Sequence, residues 1–468
     1  MCVSMLTYAF DAGMTERRRR PALALAALAV LAGGCRRAQE RPNLVLVTVD
    51  TLRADHTTPY GYGRDTTPVL ARLAREGVVV DQAYAPMATT GPSHASMFTS
   101  RYPLSLGYLR NGQRLDEGLT TLAERLHAAG YRTSAAVSSF VLDKRLGFAQ
   151  GFGTYDSRFE KQRATATMER WEGLTVPAGF DRRADETTDI ALAWLARRGK
   201  DRPFFLWVHY FDPHQPYSPP TPWDGRFAPA AGKGPADMVA LYDGEIAFTD
   251  HGLGRLVDAI EAEGLSARTL VVVTADHGEG LMQHGHMGHG LHLYEEAVRV
   301  PLVFRWPGSL PAGARLPGPV EHVDLVPTVL DLLGVPRGQD ELQGQSLAPA
   351  LRGGTGTAGH DTRRAVFLQR RLYDAGVVSG FAVKGEKFAV RAGQWKYIEA
   401  PEEETRELYD LGADPGETKD LFAADAAVAD RLARGLAAWR GRFDRRARAR
   451  DDSSTEMQEA LRALGYVQ

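Results

Sequence analysis

The sequence predicts an α/β protein: a doubly wound, mostly parallel sheet covered by helices on both faces, with a smaller antiparallel-sheet subdomain at its C-terminal end. Three observations predict it. Apolar runs without alternation, Leu44–Val49, Phe204–His209 and Leu270–Thr274, read as strands buried on both faces. Segments with helical spacing separate them, as parallel pairing requires. Beyond a Gly- and Thr-rich stretch near Leu351–His360 the pattern changes to short alternating runs with turns between them.

The elements follow in order. Leu44–Val49 is the first strand, and Asp50 stands at its carboxyl end. Residues 67–76 form a short helix that Pro68 can start. Leu119–Ala129 is helical by spacing and is closed by Gly130; Tyr131–Val137 follows as a strand. Thr187–Ala196 is a helix and Phe204–His209 a strand. Met238–Glu263 is a long amphipathic helix closed by Gly264, and Leu270–Thr274 is a strand running into Asp276-His277. Leu302–Arg305 and the helix Leu325–Leu333 complete the larger unit. In the C-terminal part, residues 388–391, 395–398 and 407–411 suggest a small antiparallel sheet, and Ala423–Arg442 a helix. The expected boundaries are a leader at 1–35, a main domain at 41–350, a subdomain at 360–445 and a tail at 446–468.

Composition narrows the function. The chain has 468 residues, 44% of them hydrophobic and 24% charged, with a formal net charge of -2. That is ordinary globular composition, and it offers no electrostatic case for binding nucleic acid. Two cysteines, Cys2 and Cys35, cannot staple a fold of this size. Arg17–Arg20 precede an Ala/Leu-rich stretch too short to span a bilayer comfortably. It ends in Leu31-Ala32-Gly33-Gly34-Cys35, which resembles a bacterial lipobox; a plain cleaved signal peptide is the alternative. Either way the chain is expected to be exported, to the periplasm or held on a bacterial membrane by a lipid at Cys35.

In open parallel sheets, ligands bind beyond the carboxyl ends of the strands. Asp50, His209–His214 and Asp276-His277 all fall at such ends. An oxygen and nitrogen donor set of this kind suits a divalent cation. Four motifs add detail. Thr90-Gly91-Pro92-Ser93-His94 begins a run continuing to Ser100; Gly91-Pro92 within it also reads as a turn signal. The run from Phe204 ends in Asp212-Pro213-His214-Gln215-Pro216-Tyr217. Thr274-Ala275-Asp276-His277-Gly278-Glu279 and Tyr294-Glu295-Glu296-Ala297-Val298-Arg299-Val300-Pro301-Leu302 follow. Between the last two lies Gly288-His289-Gly290, in a stretch, residues 277–292, that holds five of the chain's 13 histidines.

These motifs resemble the sulfatase family of the alkaline phosphatase superfamily over residues 43 to about 420, including Lys396-Tyr397-Ile398 and Glu407-Leu408-Tyr409-Asp410-Leu411 near the end. The resemblance implies an alkaline-phosphatase-like fold and a metal-dependent hydrolase of sulfuric or phosphoric esters. It implies Asp50, Asp276, His277 and Thr90 as metal ligands, and Thr90, His94, His214 and His289 as catalytic residues. His214 matches the histidine that contacts the scissile ester and protonates the leaving group. The chain departs from the family at several positions. The family oxidises a Cys or Ser to formylglycine where this chain has Thr90. Threonine would give a ketone, so no formylglycine is expected. His94 stands for the family's Arg, and His289 for a sulfate-binding Lys, as a substitute cation or proton donor. The family usually has two adjacent acidic residues after the first strand, whereas Asp50 is followed by Thr51, with Asp55 further on. Fewer oxygen ligands leave calcium, zinc or manganese as the one divalent ion. The family's Gly-Lys-Trp-His motif has no clear match; Lys144 or Arg145 could supply its cation. A second metal on His284 or His286 is the less favoured reading of the histidine-rich loop.

A sulfated threonine lacks the aldehyde exit of formylglycine, while a phosphothreonine is resolved by in-line attack of water or an alcohol. A phosphodiesterase or phosphotransferase is therefore the alternative enzyme. A binding lipoprotein that has lost catalysis is the non-enzymatic alternative, disfavoured because no fold needs Asp50, Asp276, His277 and His214 together at one sheet edge.

Overall fold

The structure is a computed structural model, and it describes residues 41–158, 169–171, 174–176, 181–227, 235–353, 360–378 and 380–443. The predicted leader with Cys35, the tail from 446 and most of the 157–181 segment lie outside the described residues.

A nine-stranded sheet organises the larger part. Its strands are β1 (Asn43–Val49), β2 (Val78–Tyr84), β3 (Arg132–Val137), β4 (Thr154–Asp156), β5 (Phe204–Tyr210), β6 (Thr269–Ala275), β7 (Arg299–Val300), β8 (Leu302–Arg305) and β9 (Ala314–Glu321). The order is β7-β2-β8-β6-β1-β5-β3-β4, with β9 beside β2. Every residue of β1, β5 and β6 is buried, which is why their sequences show no alternation. β1 pairs in parallel with β5 and with β6. The sheet is not wholly parallel: β8 runs antiparallel to β6 and β2, and β7 antiparallel to β2. Pro301, which has no N–H to donate, separates β7 from β8. Sequence reasoning missed β2 and β9. In β2 the apolar run is broken by half-buried Asp81 and Gln82. In β9 the Pro317-Gly318-Pro319 stretch reads as a turn, and the register indeed shifts between Leu316 and Pro319.

Seven longer helices cover the sheet and its C-terminal extension: α1 (Pro68–Arg75), α2 (Thr90–Thr99), α3 (Leu122–Ala128), α4 (Ala184–Arg197), α5 (Pro235–Ala262), α6 (Leu325–Leu333) and α7 (Ala426–Arg440). Their starts have visible causes. The Asp250 carboxylate on α5 accepts from the N–H groups of Val69 and Leu70 at 2.8 and 2.9 Å, satisfying the first turn of α1. Thr121 and Glu124 form a reciprocal capping box on α3.

Helix α2 corrects the turn expected at Gly91-Pro92. Pro92 sits in the first turn, where its missing N–H costs no intrahelical bond. All ten residues of α2 are buried although five are Thr, Ser or His. Three of them bond inside the helix: His94 Nδ1 bonds Thr90 O at 2.8 Å, Ser96 Oγ donates to Pro92 O at 3.2 Å, and Thr99 Oγ1 donates to Ala95 O at 2.6 Å.

The C-terminal part carries the antiparallel sheet expected there: β10 (Val366–Gln369), β11 (Phe388–Ala392), β12 (Trp395–Ala400) and β13 (Thr405–Asp410), in that order. Helix α7 packs on this sheet through Leu432, Leu436 and Trp439. Lys396 on β12 is fully buried and bridges Glu295 at 3.1 Å and Glu417 at 2.9 Å. Glu295 belongs to the Tyr-Glu-Glu motif next to the main sheet, so this lysine ties the two sheets together. Lys396→Met leaves two buried carboxylates without their cation and is expected to cost about 3–5 kcal/mol. Urea unfolding of the purified variant measures it, and a loss below about 1 kcal/mol would contradict this role.

Candidate active site

Parallel pairing sets the site. β1 and β6 run in register, Val49 opposite Ala275, so Asp50 and Asp276 leave the sheet side by side. Both are fully buried. Asp276 Oδ1 accepts from the backbone N–H of His277 at 2.8 Å and of Thr51 at 3.2 Å. Its Oδ2, like Asp50 Oδ1, has no hydrogen-bond partner. Burial raises both carboxyls above the usual range, and the proximity of Asp50 pushes Asp276 further. Thr51 takes a left-handed φ of 56°, a strained choice for a β-branched residue. Tyr242 holds it there: its hydroxyl donates to Thr51 O at 2.7 Å and accepts from Arg53 N at 3.0 Å.

Thr90 opens α2 directly against these carboxylates. Its Oγ1 lies 3.5 Å from Asp50 Oδ2 and 3.3 Å from His277 Nε2. The chain next to it is gripped by Asn111, whose Oδ1 accepts from Gly91 N at 2.7 Å. The amide nitrogen of Asn111, also buried, has no partner. Sequence reasoning did not single out Asn111; nothing in the residues around it signals the contact.

Three histidines share one orientation. His277 Nδ1 faces Gly278 O at 2.9 Å, His214 Nδ1 faces Gln215 O at 2.6 Å, and His289 Nδ1 faces Glu279 Oε1 at 3.2 Å. An oxygen behind each ring keeps the proton on Nδ1 and turns Nε2 to the opposite side of the ring. The rings adjoin: His277 and His289 centroids are 4.5 Å apart, His214 and His289 5.0 Å. Burial holds His214 below the imidazole range and His289 well below it. The His214 loop is anchored through Asp212, whose carboxylate accepts from Ala184 N at the start of α4 at 2.7 Å.

The structure thus gathers Asp50, Thr90, Asp276, His277, His214 and His289. His94 lies beneath them. Its nitrogens bond Thr90 O and, at 3.1 Å, Thr48 Oγ1, with Asp276 Oδ2 3.7 Å away, and burial lowers its pKa to about 3. His209, named in the sequence only as part of a strand end, brings Nε2 to 3.6 Å from Asp50 Oδ2; burial lowers it to about 4. The expected substitutes do not join. Asp55 pairs with Arg53 at 2.6 Å and its side chain is 58% exposed. Lys144 is exposed, and Arg145 pairs with Asp143 at 2.7 Å. His284 is stacked on Tyr294 and bound to Glu296, and no group of three metal-ligating atoms among the described residues includes it or His286.

Asp50, Asp276 and His277 do form such a group. The two orphaned carboxylate oxygens and a histidine nitrogen with its lone pair turned inward fit a divalent cation. Two oxygens, one nitrogen and the Thr90 hydroxyl are compatible with zinc or manganese and are few for calcium.

The chain is similar to known proteins over most of its length. The sulfatase family model matches residues 42–335, and that of the N-sulphoglucosamine sulphohydrolase C-terminal region matches residues 283–440. The chain is 26% identical to the N-acetylglucosamine-6-O-sulfatase of Bacteroides thetaiotaomicron, covering 86% of both chains. It is 28% identical to human arylsulfatase A, over 84% of this chain and 86% of that one. Its fold is similar to the phosphonate monoester hydrolase of Agrobacterium radiobacter (TM-score 0.72, 24% identity, 86% and 96% of the two chains). A structure solved with its substrate D-glucosamine-2-N,6-O-disulfate also matches (TM-score 0.74, 23% identity, 89% and 100% of the two chains).

Chelator-treated protein is expected to gain about 2.7 kcal/mol of stability when the right divalent ion is present at ~100 times its Kd. Asp50→Asn and Asp276→Asn should gain nothing. Thermal unfolding with calcium, manganese and zinc in turn checks this, and no shift with any of them would remove the metal site.

Proposed function

The chain belongs to the sulfatase family and is an ester hydrolase of the sulfatase type, and on that premise we propose that it cleaves a sulfate ester, or a phosphate ester of similar shape, with Thr90 as the nucleophile. The observation that carries this is the position of Thr90 Oγ1, at the head of α2 and within 3.5 Å of both Asp50 and His277.

A divalent cation bound by Asp50, Asp276 and His277 would neutralise their charge and polarise the ester oxygens. The chain's own groups do the rest. The Thr90 proton is shared toward Asp50 Oδ2, which raises the nucleophilicity of Oγ1. Oγ1 bonds to sulfur or phosphorus as the bond to the alcohol oxygen breaks. Asn111 offers its unpartnered N–H groups to the charge that builds on the non-bridging oxygens, and the start of α2 adds its dipole. The leaving oxygen takes the proton given up by Thr90, relayed through Nε2 of His214. Water then attacks the esterified threonine. His214 or His289 accepts the water proton at Nε2, and Oγ1 is released and reprotonated.

Thr90 itself favours a second reading. A threonine ester of phosphate is resolved readily by in-line displacement, so a phosphodiesterase or phosphotransferase acting through phosphothreonine uses the same residues. The sulfated-sugar relatives make a sulfated glycan the first substrate to try. We also infer export with an anchor at Cys35, a reading supported by residues 17–35 of the sequence alone.

Aryl sulfate, aryl phosphate monoester and aryl phosphodiester, assayed side by side, separate the two readings. Thr90→Ala is expected to lower kcat about 10³-fold or more, with Thr90→Ser within about tenfold of the parent. Asn111→Ala should lower kcat by about 10²-fold with the fold intact. Full activity in Thr90→Ala would end the threonine mechanism.

A further inference from the structure

An anionic ester must be held against two carboxylates, and a divalent ion only balances those two charges. Arg53 is committed to Asp55 and to Glu279 O. A further permanent cation suits such a site, and a guanidinium keeps its charge at any working pH.

The segment after β10 brings one. Gln369 N donates to Pro86 O at 2.8 Å, with a parallel bridge between Met87 and Gln369, on the stretch leading to Thr90. Three residues on, Leu372 N donates to Leu109 O at 3.3 Å, two residues before Asn111. Arg371 lies between these two anchors. Its guanidinium carbon sits 4.3 Å over the ring of Tyr373, and only 9% of the residue is exposed. A β-carbon built at Gly290 would lie 3.5 Å from Arg371 Nε, 3.5 Å from Tyr373 Oη and 3.6 Å from Ala88 O. Arg371 thus adjoins the residue after His289 and the stretch before Thr90 at one point. The left-handed φ of 82° at Gly290 keeps that contact free of a side chain.

We propose that Arg371, delivered from the C-terminal part of the chain, is the fixed cation that binds the charged oxygens of the sulfate or phosphate group presented to Thr90. This rests on the ester-hydrolase reading. Arginine suits the task because its planar fork binds two oxyanion oxygens at once and its stacking on Tyr373 fixes its orientation.

The test uses the full chain, loaded with whichever divalent ion stabilises it most. Inorganic sulfate and inorganic phosphate are titrated by calorimetry into the parent, Arg371→Met and Arg371→Lys, and KM and kcat are measured on the ester the parent hydrolyses best. Arg371→Met is expected to weaken binding of the preferred anion about tenfold or more, with lysine restoring part of it. Thermal unfolding should change little. Anion binding equal to the parent in Arg371→Met overturns the proposal. So does an equal loss in both variants with a lowered unfolding temperature, because Arg371 is then a brace for Tyr373. If Arg371→Met does not fold, phenylglyoxal modification of the parent decides: sulfate or phosphate should protect residue 371, and equal labelling with and without the anion overturns the assignment. A parent that binds anion but hydrolyses no ester would sink the hydrolase reading and leave the Arg371 result standing.

Discussion

Two carboxylates stand side by side where water does not reach. Asp50 and Asp276 emerge from neighbouring parallel strands whose register places their Cα atoms together, and each keeps one oxygen without a partner. Burial pushes both groups toward the neutral form, and the charge of Asp50 pushes Asp276 further. Such an arrangement is stable in its ionised form only against a compensating positive charge. The surroundings conform to that constraint. Backbone N–H groups of Thr51 and His277 take one oxygen of Asp276 and turn the other inward. The strain at Thr51, secured by Tyr242, is tolerated because it aims that N–H.

Helix α2 solves a second problem. The Thr90 hydroxyl reaches the buried carboxylates from a rigid element, yet its helix is itself enclosed. Small hydroxyl residues and His94 bond back to carbonyls one turn earlier, so polar groups enter the interior without being left unsatisfied. The orientation of His214, His277 and His289 follows the same economy: an oxygen behind each ring decides which nitrogen faces the site. The C-terminal part is not an appendage to this centre. Lys396 locks it to the Tyr-Glu-Glu motif, and the Gln369–Tyr373 crossing runs along the stretch that leads to Thr90.

Much of the fold was legible in the chain. β1, β5 and β6 are buried on both faces, so their apolar runs could be read without knowing their neighbours. The helix Leu325–Leu333 emerged with its expected bounds. β2 and β9 were not legible, because a half-buried polar pair and a Gly-Pro bulge carry turn signals that tertiary pairing overrides. Gly91-Pro92 misled for a related reason: a proline that ends a helix elsewhere is harmless in its first turn.

The sequence by itself determined the family, the sheet edge and the identities of Asp50, Thr90, Asp276 and His277, because those residues sit in contiguous motifs at strand ends. Only the tertiary structure decided which other groups reach them. Lys144, Arg145 and Asp55 have the right chemistry but face outward, while Asn111 and His209 arrive from separate segments. Charge and hydrogen-bonding capacity belong to the residue type and are visible in one dimension. Proximity depends on strand register and loop crossing, which arise only when distant segments pack.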